Sequence, residues 1–278
     1  MKLPNLSYMM SVGELRYIQS RFEKAEDRSP DSAVGTFLPL SKRLRCILRG
    51  VALLSRARSD PFYYYVLART KYYDEVFFDA IRSSFKCIVN VGCGSDTRAY
   101  RFAHLLKQKG VRVLECDQSK AILAKQSIAR RNWPTDHVEY VPINLNESSW
   151  PSFEEALGEH CKEPALVMME GVSPYVNDSS FQSFLRLLAT RLHPQSVVAY
   201  DFKLRGAADS FGQSESSGPL FRLPGERKAV ADYHRALGYE LQDMELSSEL
   251  TRRLQPNANT SFAQDCLVRL VVTVSTDS

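Results

Sequence analysis

The 278-residue sequence contains no uninterrupted apolar run approaching the roughly 18 residues that a membrane-crossing helix needs, so no transmembrane span is expected. It has no C-x-x-C pair. Its cysteines, at 46, 87, 93, 116, 161 and 266, follow no regular spacing, and its histidines stand far apart along the chain. A structural zinc site wants such ligands in close pairs, so no residue is assigned to a metal. Cys87, Cys116 and Cys266 fall inside apolar runs, where cysteine acts as a small hydrophobe. Free thiols in a reducing, cytoplasmic compartment are the expectation. The first residues, MKLPNLSYMMSVGELRY, lack the apolar core and small-residue cleavage site of a secretory signal. Charge excess is slight as well, at +4 with a pI near 8.7, too mild for a nucleic-acid binder. Neither nucleic acid nor membrane is expected as a partner.

What is present is an ordinary globular composition with two different rhythms. Over residues 11–27, Val12, Leu15, Ile18 and Phe22 recur at helical spacing. The segment R-S-P-D-S-A-V-G then ends the pattern. Residues 40–58 give a second amphipathic helix. Its stripe is Leu44, Ile47, Leu48, Val51 and Leu54, with Lys42, Arg43, Arg45 and Arg49 outside it. Those cations read as a solvated face, or alternatively as a basic lip that attracts an acidic substrate. A third helix begins at Asp60-Pro61, with proline in the first turn, and runs to about residue 83. From residue 87, apolar runs at 87–91, 111–117, 138–143, 165–170 and 196–202 alternate with helical segments at 97–109, 119–131 and 179–192. Continuous apolar strands separated by helices indicate βαβ units around a parallel sheet covered on both faces. Two more strands are expected at 239–244 and 266–274, with Gly238 as a left-handed cap after a helix at 226–237. The division that follows is a helical cap over 1–84 and a sheet domain over 85–278. The Gly/Ser-rich stretch 203–228 would be a lid or loop inserted in that domain.

The first βα turn carries the most information. In V-N-V-G-C-G-S-D-T-R, residues 89–98, a strand ends in Gly92-x-Gly94 and a helix follows. Glycines there permit a sharp turn and close approach of a ligand. A dinucleotide fingerprint would need a third glycine at position 97, beside a pyrophosphate, and position 97 is Thr. A ligand without a pyrophosphate, such as S-adenosylmethionine, fits the turn; so does a purely structural βα turn. The second strand ends in Asp117, 23 residues beyond Gly94, where a carboxylate can accept hydrogen bonds from both ribose hydroxyls or cap the next helix. Strand three runs into Asn144-Leu145 and strand four ends in Glu170-Gly171, so both reach over the same cleft. The fold class expected is α/β: a class I methyltransferase Rossmann-like sheet, mostly parallel with its last strand antiparallel, under an N-terminal helical cap.

The blocks A-R-T-K-Y-Y-D (68–74), N-V-G-C-G-S-D-T-R-A-Y-R (90–101), L-E-C-D-Q (114–118), P-I-N-L (142–145) and M-E-G-V-S-P-Y-V (169–176) are similar to those of the leucine carboxyl methyltransferases and their bacterial small-molecule relatives. They occur in that family's order and cover roughly residues 60–202. The resemblance implies that Arg69 holds the carboxylate of S-adenosylmethionine as a charge-assisted pair. It places the methionine moiety on Gly92, Cys93 and Gly94, and the ribose on Asp117 beside Gln118. Asn144 and Leu145 would flank adenine, with Glu170 and Gly171 at the amino group. Asn144 departs from the Asp usual in the family, which removes a charge. Asp96, Thr97 and Arg98 match the pattern and are read as orienting the loop. Tyr175 is expected to face the cleft.

O-methylation of a carboxyl or hydroxyl group of a small molecule, for instance a polyketide-type metabolite, is what the resemblance suggests. Methylation of a protein C-terminal carboxyl, or cofactor binding without catalysis, are the alternatives. A carboxylate acceptor needs no base and a hydroxyl does. His104, His137, His193 and His234 are the nominal candidates, and none is assigned.

Overall fold

In the computed structural model, which describes residues 10–83, 85–207, 219–258 and 262–273, Ser11 opens the first helix, α1 (Val12–Phe22). The Ser11 hydroxyl accepts from the Glu14 backbone N–H while the Glu14 carboxylate accepts from the Ser11 N–H, a reciprocal cap that satisfies two otherwise orphaned donors. The apolar spacing of 11–27 thus yields a helix that stops at Phe22. Helix α2 (Leu40–Ala57) follows a single 3-10 turn at Ala33–Thr36. Helix α3 (Pro61–Arg82) starts where expected, with Asp60 accepting from the Phe62 N–H at 2.9 Å and Pro61 needing no donor.

The sheet contains β1 (Cys87–Val91), β2 (Arg112–Asp117), β3 (Val138–Pro142), β4 (Ala165–Met169), β5 (Val197–Leu204), β6 (Arg222–Leu223), β7 (Tyr239–Leu246) and β8 (Asp265–Val272). Its order is β3-β2-β1-β4-β5-β8-β7, with β6 paired to β5 off this path. All pairings are parallel except those of β8, which runs antiparallel to both β5 and β7. This is the class I methyltransferase sheet. Every residue of β1 and β4 is buried, as continuous apolar character requires of strands covered on two faces. Ile88, Val113, Leu166 and Leu267 face a cluster containing Tyr63, Tyr73 and Phe77 of α3. Val89, Leu114 and Val167 face Phe153, Phe181 and Phe184 on the other side. The N-terminal helices therefore share a core with the sheet.

The connecting helices are α4 (Arg98–Arg101), α5 (Ala103–Lys109), α6 (Ser119–Asn132), α7 (Pro151–His160), α8 (Asp178–Arg191), α9 (Arg227–Arg235) and α10 (Ser247–Leu254). The expected helix at 97–109 is in fact two, divided at Phe102, whose ring stacks on Phe77 with centroids 5.6 Å apart. Gly238 takes φ +94 after α9, the left-handed position foreseen for it. Of the stretch read as a lid, residues 208–218 lie outside the described residues. Its flanks are tied down: β6 pairs β5, and Leu220 bridges to Asn177.

Helix α2 departs most from its pattern. Of the stripe, Leu54 alone is buried, while Leu44, Ile47, Leu48 and Val51 are 46, 41, 80 and 71% exposed. The side that packs on α1 carries Cys46, Gly50, Leu54 and Ala57. At Gly50 a Cβ would fall 2.1 Å from the Phe22 ring, so the closest approach of the two helices requires a residue without a side chain there.

Candidate functional site

At the carboxyl end of β1 the chain reverses through Gly92 (φ +66) and Gly94 (φ +38), a region costly for side-chain-bearing residues. The Cys93 N–H donates to the Cys116 carbonyl at 3.0 Å, and the Gly94 N–H donates to Asp117 Oδ2 at 2.7 Å. The turn is thereby fastened to the tip of β2. Beneath it, buried Lys125 of α6 donates to the Cys93 carbonyl at 3.2 Å and to Glu115 Oε1 at 2.7 Å. Tyr100 donates to the other Glu115 oxygen. The Glu115 carboxylate and its neighbours hold the Lys125 ammonium above its usual range despite burial. The Cys93 thiol is buried and pushed up by desolvation, so that residue contributes backbone to the surface of the turn.

Two adjoining hollows flank this turn, with about 820 and 620 Å³ of space when the open solvent at their mouths is included. Arg69, Cys93, Gly94 and Glu170 line the larger one. Asp117, Gln118, Asn144 and Leu145 line the smaller. Gly92, Gly171 and Tyr175 line both, so the two form one trough across the rim of the sheet. All eleven residues singled out in the sequence are brought together there. None of His104, His137, His193 and His234 lines either hollow. His234 is buried between the Tyr200 hydroxyl and the Val230 carbonyl, each 2.6 Å away, and desolvation pulls it down to about 4. The potential metal ligands that cluster among the described residues, Glu139, Glu159 and His160, lie outside the trough.

Charge at the larger end is dense and buried. Arg69 Nε lies 3.3 Å from Glu170 Oε1, and its Nη1 lies 3.3 Å from Asp201 Oδ2. Glu170 is also held by Arg98 at 2.8 Å, and Arg98 in turn contacts Asp74 at 2.7 Å and Asp96 at 2.5 Å. Thr97 donates to Asp31 at 2.5 Å. Arg98 and Thr97 thus brace the loop from behind, while Asp96 itself lines the trough. Asp201 is fully buried, accepts from the Gly171 N–H at 2.7 Å and from Tyr73 at 3.0 Å, and is pushed up to about 6 by desolvation against the pull of Arg69. Gly171 takes φ +68, and a Cβ there would meet the Arg69 guanidinium at 3.2 Å. Arg69 Nε has no hydrogen-bond partner although it is buried, because its approach to Glu170 is poorly aligned.

Sequence reasoning missed Arg16, Lys203 and Asp265 in the larger hollow, and Asp201 behind it. Arg16 arrives from α1, ion-paired to Asp31, with its Nε unpartnered. Lys203 and Asp265, at the tips of β5 and β8, pair at 3.0 Å. The available signal was a charged residue inside an apolar run, as in V-V-A-Y-D-F-K over 197–203. Such a residue is costly there unless paired.

Residues 42–189 match the family model described as leucine carboxyl methyltransferase. A curated relative from Mycobacterium avium (strain 104), named as a candidate S-adenosyl-L-methionine-dependent methyltransferase, is 33% identical over 139 residues, 49% of this chain and 43% of that protein. One of the same description from Frankia alni is 26% identical over 155 residues, 55% of this chain and 53% of its own. The chain thus spans about half the length of the curated relatives it matches. Among solved structures, a magnesium protoporphyrin IX methyltransferase from Synechocystis PCC 6803 aligns with TM-score 0.48 and 12% identity, covering 76% of this chain and 86% of that one. With more than half of its residues inside the matched region, this chain belongs to the leucine carboxyl methyltransferase family.

Proposed function

We propose that the chain is an S-adenosylmethionine-dependent methyltransferase that places a methyl group on an oxygen of a small molecule, either a carboxylate or a hydroxyl. The names of its relatives support the reaction class. The observation that carries the reading is the polarity of the trough: a fixed carboxylate at the nucleoside end and a buried guanidinium–carboxylate pair at the other.

The residues present fit such a cofactor. Asp117 takes one N–H on each oxygen at 2.7 Å, from Gly94 and Gln118, which leaves lone pairs for two ribose hydroxyls. Leu145 and Ile143 give the smaller hollow apolar walls, and Asn144 adds a polar group beside them. Gly92 and Gly171 add no side chain of their own where the two ends meet. Arg69, which lines the larger hollow, brings a guanidinium for the amino-acid carboxylate, and Glu170 a carboxylate for the ammonium. Thr97 stands where a pyrophosphate site would need glycine.

When bound, the cofactor supplies a methyl group on a cationic sulfur, already activated for displacement. The work left to the chain is alignment of the acceptor oxygen in line with that group and exclusion of water. An acceptor that is already anionic needs no general base, and a hydroxyl does. The six buried, unbridged cysteines suit a reducing compartment such as the cytoplasm.

The test is transfer of a labelled methyl group from S-adenosylmethionine to a panel of small carboxylic acids, phenols, polyketide-type hydroxy acids and peptide C-termini. Labelling of a small-molecule oxygen is expected. Labelling confined to peptide carboxyls would replace the acceptor assignment, and cofactor binding with no labelled product would remove the catalytic reading.

A further inference from the structure

The exposed side of α2 has chemistry of its own. Leu40, Leu44, Ile47, Leu48 and Val51 recur at i, i+4, i+7, i+8 and i+11, one continuous face about 16 Å long. They are five of the eight large hydrophobic residues that are exposed among the described residues. The tight seat of Gly50 on Phe22 fixes the helix about its axis, so this face cannot turn inward without separating α1 from α2. By helical spacing, Lys42, Arg45, Arg49 and Arg56 stand across the helix from this face and Arg43 nearer its buried side, all exposed. Lys42 and Arg45 share Glu14. Arg43, Arg49 and Arg56 have no carboxylate partner among the described residues. The helix contains no acidic residue, so its five cations exceed the net charge of +4 carried by the whole chain.

We propose that α2 is a docking face for an anionic lipid surface, lying in the plane of the interface with its aliphatic side chains among the acyl chains and its cations at the headgroups. A surface helix of this kind needs an apolar face, a cationic polar face and no carboxylates to repel the lipid phosphates. It does not need to cross the bilayer, and no helix among the described residues is long and apolar enough to do so. A second copy of the chain is the poorer occupant. The five side chains of this face are far fewer than the roughly 20–30 residues that each partner gives to a stable protein interface.

The experiment is co-sedimentation of the full chain with vesicles of phosphatidylcholine alone or of phosphatidylcholine mixed with phosphatidylglycerol. The partition coefficient should be at least about tenfold higher on the anionic vesicles and should fall as salt is raised. Leu48→Glu combined with Val51→Glu, and separately Arg43→Gln combined with Arg49→Gln, should each remove most of that binding. Both variants should keep the parent unfolding midpoint, because these side chains face solvent. Equal sedimentation with both vesicle types would overturn the proposal, as would anionic-vesicle binding that survives the Leu48→Glu and Val51→Glu pair. A dimer in sedimentation equilibrium that the same pair dissociates would assign the face to a second copy instead.

Discussion

A Cβ on Gly92 would stand 2.4 Å from Val172 Cγ2, so the first turn of the sheet and the loop after β4 touch at a point where no side chain fits. Val172 is β-branched and has few rotamers with which to give way. Gly94, two residues on, also has positive φ, but the nearest atom to its would-be Cβ is 3.8 Å away. Gly94→Ala should therefore cost only the left-handed penalty, about 1–2 kcal/mol, and Gly92→Ala that penalty plus overpacking, roughly 3 kcal/mol or more. Urea unfolding of the two variants checks the order. Equal losses would mean that Val172 does not press on the turn.

The Lys125–Glu115 pair beneath the turn should matter through what is left when one partner goes. Lys125→Met strands a buried carboxylate and is expected to cost about 3–5 kcal/mol. Lys125→Met combined with Glu115→Gln should recover at least half of the loss, because Tyr100 still finds an acceptor. Denaturant unfolding of the single and double variants reads this coupling, and strictly additive losses would argue against it.

Much of this arrangement was legible in the order of residues. The strand positions followed from continuous apolar runs, and Gly92, Asp117, Asn144 and Glu170 from where those runs end, because parallel strands deliver their last residues to one rim. Arg69, on helix α3, came instead with the family resemblance of its A-R-T block. Asp201 and Arg16 were not legible, since their roles depend on side chains meeting across elements far apart in sequence. Asp201 reaches Arg69 from a strand more than 130 positions away, and no local pattern records that. The periodicity of α2 misled for a related reason. It shows which side chains share a face, but the small residues Gly50 and Ala57 decided which face is buried.

His234 gives the fold a pH dependence of definite sign. Its folded-state value near 4 lies below the ordinary 6.5, so the neutral ring is favoured in the fold. The stabilisation is complete above about pH 6.5 and is lost as pH falls towards 4, by about 3 kcal/mol. Asp201, raised to about 6, acts with the opposite sign in part of the same window. The informative quantity is the stability difference between the parent chain and His234→Gln, which should shrink as pH drops from 7 to 4. A difference that stays constant would contradict a neutral buried imidazole.

Calorimetric titration with S-adenosylhomocysteine tests most directly whether the trough grips the sugar through Asp117 and the amino-acid end through Arg69. The parent chain should bind, and Asp117→Ala and Arg69→Ala should each weaken binding at least tenfold, about 1.4 kcal/mol, with NAD giving no heat. Unchanged titration curves for both variants, or binding of NAD in place of S-adenosylhomocysteine, would contradict that grip.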